Sequence, residues 1–148
     1  DVWGNLDQMP WAWYPATSVA GMRQPFDVII ALDLFEHLVD PYGAVNECWS
    51  LLRTGGVLII RMSAWDNPAT FADLTHKHWA NEEAFSFFDR TTRLGGHYGP
   101  FHPADSLGRL PTPWRVDGVD RTNPDERYGI GDLQFTLVRL DAHPEVAP

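Results

Sequence analysis

The sequence is short of cysteine, of long apolar runs and of basic leader residues, and each shortage excludes a class of protein. Cys48 is the single cysteine, which excludes an internal disulfide framework and a zinc site built from several thiolates. The longest apolar run, residues 28–32, is too short to span a bilayer. No basic-then-apolar segment opens the chain, so we predict no signal peptide. We therefore expect a cytoplasmic protein without a membrane span.

Positive charge is also scarce. Lys and Arg total 11 against 20 Asp and Glu, which gives a formal net charge of −9. A surface of this sign repels phosphate backbones, so the composition argues against a nucleic-acid partner. The hydrophobic share of 44% is enough to build a core in 148 residues. We therefore predict one folded domain spanning residues 1–148.

A strand, a helix and a second strand follow one another in the first half of the chain. Residues 26–32 are apolar at both odd and even positions, which is typical of a strand buried on both faces in a parallel sheet. Asp40 and Pro41 suit the N-cap and first position of a helix. Apolar residues then recur at three- and four-residue steps, at Ala44, Val45, Cys48, Leu51 and Leu52. Gly55–Gly56 predicts a turn before a second strand at 57–60, so the unit is a right-handed crossover between parallel strands.

The second half is less regular. Residues 81–88 predict a short helix capped by Asn81. Residues 89–113 predict a long loop, with one helical turn near 104–107. Two further strands are expected at 114–119 and 133–140, the second with alternating burial.

Two stretches carry a resemblance to a known family. Residues 26–38, FDVIIALDLFEHL, resemble the fourth-strand signature of class I S-adenosylmethionine-dependent methyltransferases, and residues 46–58 resemble the helix, glycine turn and fifth strand that follow it. Residues 4–11 are similar to the loop that borders the adenine of the cofactor. Residues 73–76 and 84–88 resemble an insertion found in one branch of these enzymes, and the chain as a whole is similar to the type 11 methyltransferases. The resemblance implies an α/β, Rossmann-like sheet, S-adenosylmethionine as cofactor, and methyl transfer.

The family's first strand and its Gly-x-Gly-x-Gly turn have no counterpart in the 148 residues. The resemblance therefore implies a C-terminal part of the fold, with strands equivalent to 4-5-7-6, the last one antiparallel, and the first βα units missing. Residues 63–113 would form a loop-rich insertion on the substrate side. The edge of the strand at Val28–Leu32 would be open to a missing N-terminal segment or to another copy. The alternative is a non-catalytic remnant or interaction module that pairs with another chain through this edge.

The resemblance also places candidate cofactor residues. Asn5 falls where the family usually has an acidic acceptor for the adenine amino group, and an amide oxygen accepts the same hydrogen bond. Asp1 is a rival for that role, and a plain Gly-Asn turn is the structural alternative for Asn5. Asp33 follows the carboxyl end of a central strand, where open α/β sheets bind ligands, although it could simply cap a turn. The full candidate set is Asp1, Asn5, Leu6, Leu32, Asp33, Leu34 and His37.

Histidines and aromatic residues supply the remaining candidates. His37 and His76 are possible catalytic bases towards an acceptor hydroxyl or amine, with a structural hydrogen bond as the favoured alternative for His37. The histidines of the second half match no ligand spacing and have no cysteine beside them, so we predict no metal site; they are His76, His78, His97 and His102. Aromatic residues could line an acceptor pocket or pack on the sheet; they are Trp65, Phe71, Trp79, Phe85, Phe87 and Phe88. The acidic composition favours a small molecule or a glycan as acceptor.

Overall fold

The computed structural model describes residues 6–7, 26–98, 111–122 and 131–142. Asp1, Asn5 and His102, and the helical turn predicted near 104–107, lie outside the described residues. The regular elements are β1 (Phe26–Leu32), α1 (Pro41–Leu51), β2 (Leu52–Met62), α2 (Pro68–Ala72), α3 (Arg93–Tyr98), β3 (Trp114–Thr122) and β4 (Asp132–Arg139). Two 3-10 helices, Phe35–His37 and Ser86–Phe88, complete the set.

The strands form one four-stranded open sheet in the order β1-β2-β4-β3. β1 and β2 run parallel, with Val28 opposite Val57 and Leu32 opposite Arg61. β4 is antiparallel to both of its neighbours, β2 and β3. The predicted parallel pair joined through a helix is therefore present, and the mixed α/β architecture is compatible with a Rossmann-like fold. Among the described helices, none has the length and apolar character needed to cross a bilayer.

α1 begins where the sequence predicts. The Asp40 Oδ1 atom accepts a hydrogen bond of 2.8 Å from the Gly43 backbone N–H, and Pro41 occupies the first helical turn. The predicted apolar stripe of α1 is buried, as Ala44, Val45, Cys48, Leu51 and the adjoining Leu52 show. Burial raises the pKa of the Cys48 thiol to about 12, so this cysteine is a core residue and no nucleophile.

β2 begins earlier than predicted. The strand starts at Leu52, and Gly55–Gly56 lies inside it rather than in a turn before it. The pairing with β1 is irregular at this point, because Phe26 pairs with Leu52 whereas Val28 pairs with Val57. Gly55 has a φ of 73°, a left-handed conformation that glycine adopts without strain. The glycine pair therefore absorbs the extra residues as a bulge in the sheet.

The prediction that β1 is buried on both faces is wrong. Val28, Ile30 and Leu32 are 48%, 61% and 47% exposed, whereas Ala31 is buried. Successive side chains of a strand point to opposite faces, so one face of β1 meets the core and the other meets solvent. β4 shows the predicted alternation, with Leu133, Phe135 and Leu137 buried.

The segment after β2 also differs from its prediction. Asn81 Oδ1 accepts from the Glu83 backbone N–H at 3.0 Å, which makes a local turn instead of capping a helix. The only helical residues between 81 and 88 are the 3-10 turn Ser86–Phe88. α3 lies inside the predicted long loop, so that prediction is wrong for 93–98. Short helices of this kind lack a sustained apolar period, and α3 is held by contacts with the 3-10 turn Ser86–Phe88.

Candidate functional site

The carboxyl end of β1 turns sharply at Asp33. This residue has a φ of 51°, which is uncommon outside glycine and is best tolerated by Asp and Asn. Its backbone N–H donates to the Arg61 carbonyl oxygen at 2.9 Å. Its carboxylate accepts from Arg61 Nε and Nη2 at 3.1 and 2.6 Å, and this pairing raises the pKa of the guanidinium. The described contacts of the Asp33 side chain are with Arg61, and its proposed contact with the cofactor remains a prediction.

The other described candidates for cofactor binding surround this turn. Leu32 is half exposed, and Leu34 packs partly against the core. Leu6 also packs partly against the core, and the next residue, Asp7, accepts from the Val39 backbone N–H at 2.7 Å through Oδ1. This hydrogen bond ties residues 6–7 to the segment that follows β1, and the role of the loop beside the adenine remains a prediction.

Glu36 is a buried carboxylate that the sequence analysis did not single out. Its side chain lies in the 3-10 turn after β1 and is 1% exposed. Oε1 accepts from the Ser63 backbone N–H at 3.3 Å, and Oε2 has no hydrogen-bond partner among the described residues. Its position beside the candidate base His37, shortly after β1, is the sequence signal that could have identified it.

The two candidate bases come together from distant parts of the chain. The ring centroids of His37 and His76 are 4.8 Å apart. Potential ligand atoms of Glu36, His37 and His76 all lie within 4.8 Å of one another. Sequence spacing suggested grouping His76 with the later histidines, whereas the fold groups it with the turn after β1. His78 instead lines a neighbouring aromatic pocket.

The surroundings of this cluster are acidic. Burial raises the pKa of Asp132, and the negative charges of Asp33 and Glu36 raise it further. Asp73 lies on the other side, with Oδ2 3.7 Å from His76 Nε2. Hydrogen bonds from Thr75 lower the pKa of Asp73, so this carboxyl is ionised at neutral pH. The electrostatic field at the carboxyl end of β1 and β2 therefore favours a cation or a cationic ligand.

An aromatic pocket of about 270 Å³ lies beside α1. Its lining is Pro41, Tyr42, Val45, Met62, His78, Trp79, Ala84, Phe85, Phe87 and Phe88. Phe85 and Phe88 are buried, and Phe85 meets Phe135 edge-to-face at 4.7 Å, so these rings also belong to the core. Trp79 is 56% exposed and also lines a second cavity of about 390 Å³ with Trp65. Packing and cavity lining both occur among these aromatic residues, and binding of an acceptor in the pocket remains a prediction.

Comparisons with known proteins give the same family as the resemblance. Residues 16–60 match the family model described as a methyltransferase domain. Among curated proteins, the chain is 38% identical over 45 residues to a ubiquinone biosynthesis O-methyltransferase from Parvibaculum lavamentivorans. The aligned stretch covers 30% of this chain and 18% of that protein, so the chain spans only a small part of the relative's length. The matched segment contains β1, α1 and most of β2, so this part of the chain is similar to a methyltransferase domain.

Proposed function

We propose that this chain is part of an S-adenosylmethionine-dependent methyltransferase that acts on a small-molecule or glycan acceptor. The observation that carries the proposal is the parallel β1–β2 pair joined through α1, within the segment that matches the methyltransferase domain. In an open α/β sheet the carboxyl ends of such strands form the ligand-binding edge. We infer that β1, β2, β3 and β4 correspond to the fourth, fifth, sixth and seventh strands of the family, so that the missing βα units would pair beyond β1.

The residues at this edge fit one side of an adenosyl ligand. Leu6, Leu32 and Leu34 offer apolar surface around the turn at Asp33, and the acidic groups nearby suit the positive charge of the cofactor. The methionine end of the cofactor would be held by the family's glycine-rich turn, which the 148 residues do not contain. We therefore assign this chain the adenine and acceptor sides of the site.

When bound, S-adenosylmethionine supplies an electrophilic methyl group, so the protein contributes mainly alignment and exclusion of water. The aromatic pocket beside Trp79 would hold the body of the acceptor. His37 is placed to accept the acceptor's proton at Nε2, because its Nδ1 is engaged by Thr75 Oγ1 at 3.0 Å.

The test uses the full-length protein that contains these residues. Incubation with S-adenosylmethionine and a small-molecule extract should release S-adenosylhomocysteine, detected by mass spectrometry. Leu32→Arg places a positive charge and added bulk beside the proposed site and should weaken S-adenosylmethionine binding by about tenfold or more in calorimetry. Leu74→Arg is the matched control, since Leu74 is 95% exposed, and should bind normally. Absence of cofactor binding by the unsubstituted protein would refute the proposal.

The interaction-module alternative has one observation in its favour. β1 is an outer strand of the described sheet, and Val28, Ile30 and Leu32 expose apolar surface along one face. A module would associate through this strand and bind no cofactor. Ile30→Lys should then shift the sedimentation coefficient to that of a smaller species, whereas Val39→Lys, at a residue 66% exposed outside the strand, should leave it unchanged.

A further inference from the structure

We propose that Glu36, His37 and His76 form a binding site for a divalent transition-metal ion, with Zn²⁺ as the best match to the donor set. This proposal revises the sequence-based expectation of no metal site and does not depend on methyl transfer. Two imidazoles and one carboxylate are an established zinc set, in which a fourth tetrahedral position remains for water or a ligand oxygen. Their potential ligand atoms already lie within 4.8 Å of one another.

The unsatisfied oxygen of Glu36 is the first independent sign of a missing ligand. The residue is 1% exposed, and its Oε1 accepts from the Ser63 backbone N–H while Oε2 has no partner among the described residues. A buried carboxylate without compensation is costly. A cation at Oε2 would remove that cost, and His37 and His76 offer two further donors within 4.8 Å of a Glu36 carboxylate oxygen.

The hydrogen bonds of the histidines leave the correct nitrogen free in both rings. His76 Nδ1 lies 2.9 Å from the Thr70 carbonyl oxygen, which accepts only, so Nδ1 carries the proton. The Thr75 hydroxyl gives its single proton to Asp73 Oδ1 at 2.7 Å. The same hydroxyl oxygen must therefore accept from His37 Nδ1 at 3.0 Å. In the neutral form of each ring, Nε2 therefore carries a lone pair that can bind a metal. Metal-binding histidines commonly have this arrangement, in which the other ring nitrogen donates a hydrogen bond to a protein oxygen.

Backbone contacts hold the two halves of the cluster in place. The Glu36 carbonyl oxygen accepts from the backbone N–H groups of Lys77 and His78 at 2.7 and 3.2 Å. Lys77 Nζ donates to the His37 carbonyl oxygen at 2.6 Å. These bonds join the turn after β1 to the segment that carries His76, so the residues of the cluster are brought together before a metal binds.

The charges around the cluster point the same way. Asp73 Oδ2 lies 3.7 Å from His76 Nε2 and is a further oxygen donor within reach. The Asp132 carboxyl is near enough to Glu36 and His76 for their charges to affect its pKa. A divalent cation would offset this local excess of negative charge. Metal binding and proton acceptance would both use His37 Nε2, so a bound metal would exclude His37 as the general base.

The test is metal binding to the complete gene product after removal of metal with a chelator. Titration with Zn²⁺ alone should show one site that depends on Glu36, His37 and His76, and titration with Mg²⁺ under the same conditions should show no binding there. Co²⁺ should give the visible absorption of a tetrahedral site. Zn²⁺ binding should weaken by roughly 100-fold or more in each of the variants Glu36→Gln, His37→Ala and His76→Ala. Thr75→Val removes the hydroxyl that contacts His37 Nδ1 and should weaken Zn²⁺ binding by roughly tenfold.

His78→Ala is the matched control, because His78 lies on the same segment and lines the aromatic pocket instead. It should bind Zn²⁺ as the unsubstituted protein does. Circular dichroism of each metal-free variant separates loss of a ligand from loss of the fold. Failure to bind Zn²⁺, or equal loss in His78→Ala and His76→Ala, would overturn the metal site. Neither result would affect cofactor binding, which the calorimetry with S-adenosylmethionine measures separately.

Discussion

At the scale of single residues, the carboxylates differ in what their neighbours do to them. Asp117 accepts from Arg115 Nε and Nη2, and this hydrogen bonding lowers its pKa. Asp132 is partly buried near Asp33 and Glu36, and these influences raise its pKa despite the nearby Arg61. The same residue type therefore stabilises the fold at one position and opposes it at the other.

Asp132→Asn should accordingly stabilise the protein at pH 7. A carboxyl whose folded pKa exceeds its unfolded value disfavours folding when it is ionised, and this penalty disappears as pH falls through the folded pKa. The gain from the amide should therefore be present at neutral pH and shrink in acid, as urea unfolding at several pH values would show. Asp117→Asn should have the opposite sign, with a small loss at neutral pH. A less stable Asp132→Asn protein at pH 7 would contradict the assignment.

At the scale of elements, Trp49 joins α1 to the ends of two strands. Its Nε1–H lies 3.1 Å from the Pro113 carbonyl oxygen and 3.0 Å from that of Leu140. The Arg139 guanidinium lies over the indole ring at 4.0 Å from its centroid. This one side chain fixes where β3 begins and β4 ends relative to α1, and the period of the helix alone does not predict it.

Trp49→Phe keeps an aromatic ring but removes the indole N–H. We expect a loss of about 1–2 kcal/mol in the free energy of unfolding, because two carbonyl oxygens lose a shared donor. Thermal or urea unfolding checks this value, and Trp65→Phe, at a side chain 51% exposed, should change stability far less. Equal stability of the two variants would show that the bifurcated contact contributes nothing.

The parts of the fold that the sequence predicts are those with a local signal. The N-cap at Asp40 and the apolar stripe of α1 depend on neighbouring residues and are confirmed. The exposed face of β1 was not predicted. Apolar residues at both odd and even positions do not show whether other elements cover both faces of a strand. The grouping of Glu36 and His37 with His76 was missed because it depends on how the segment after β2 folds back over the turn that follows β1.

At the scale of the whole molecule, both proposed sites lie at the carboxyl end of the parallel strands β1 and β2. The apolar residues around Asp33 face the proposed cofactor, and the Glu36 cluster follows directly along the chain. The acidic groups at this end of the sheet would suit both proposed ligands, because a sulfonium and a divalent metal are each positively charged. This arrangement makes the carboxyl end of β1 the part of the molecule on which the functional account depends.

Photochemical crosslinking tests that claim most directly. The complete gene product is irradiated with S-adenosylmethionine labelled in its methyl group, and the labelled peptides are identified by mass spectrometry. The account predicts adducts within residues 26–38 or at Leu6–Asp7, abolished by excess S-adenosylhomocysteine. Adducts found only elsewhere in the chain, or labelling that S-adenosylhomocysteine does not compete away, would contradict it.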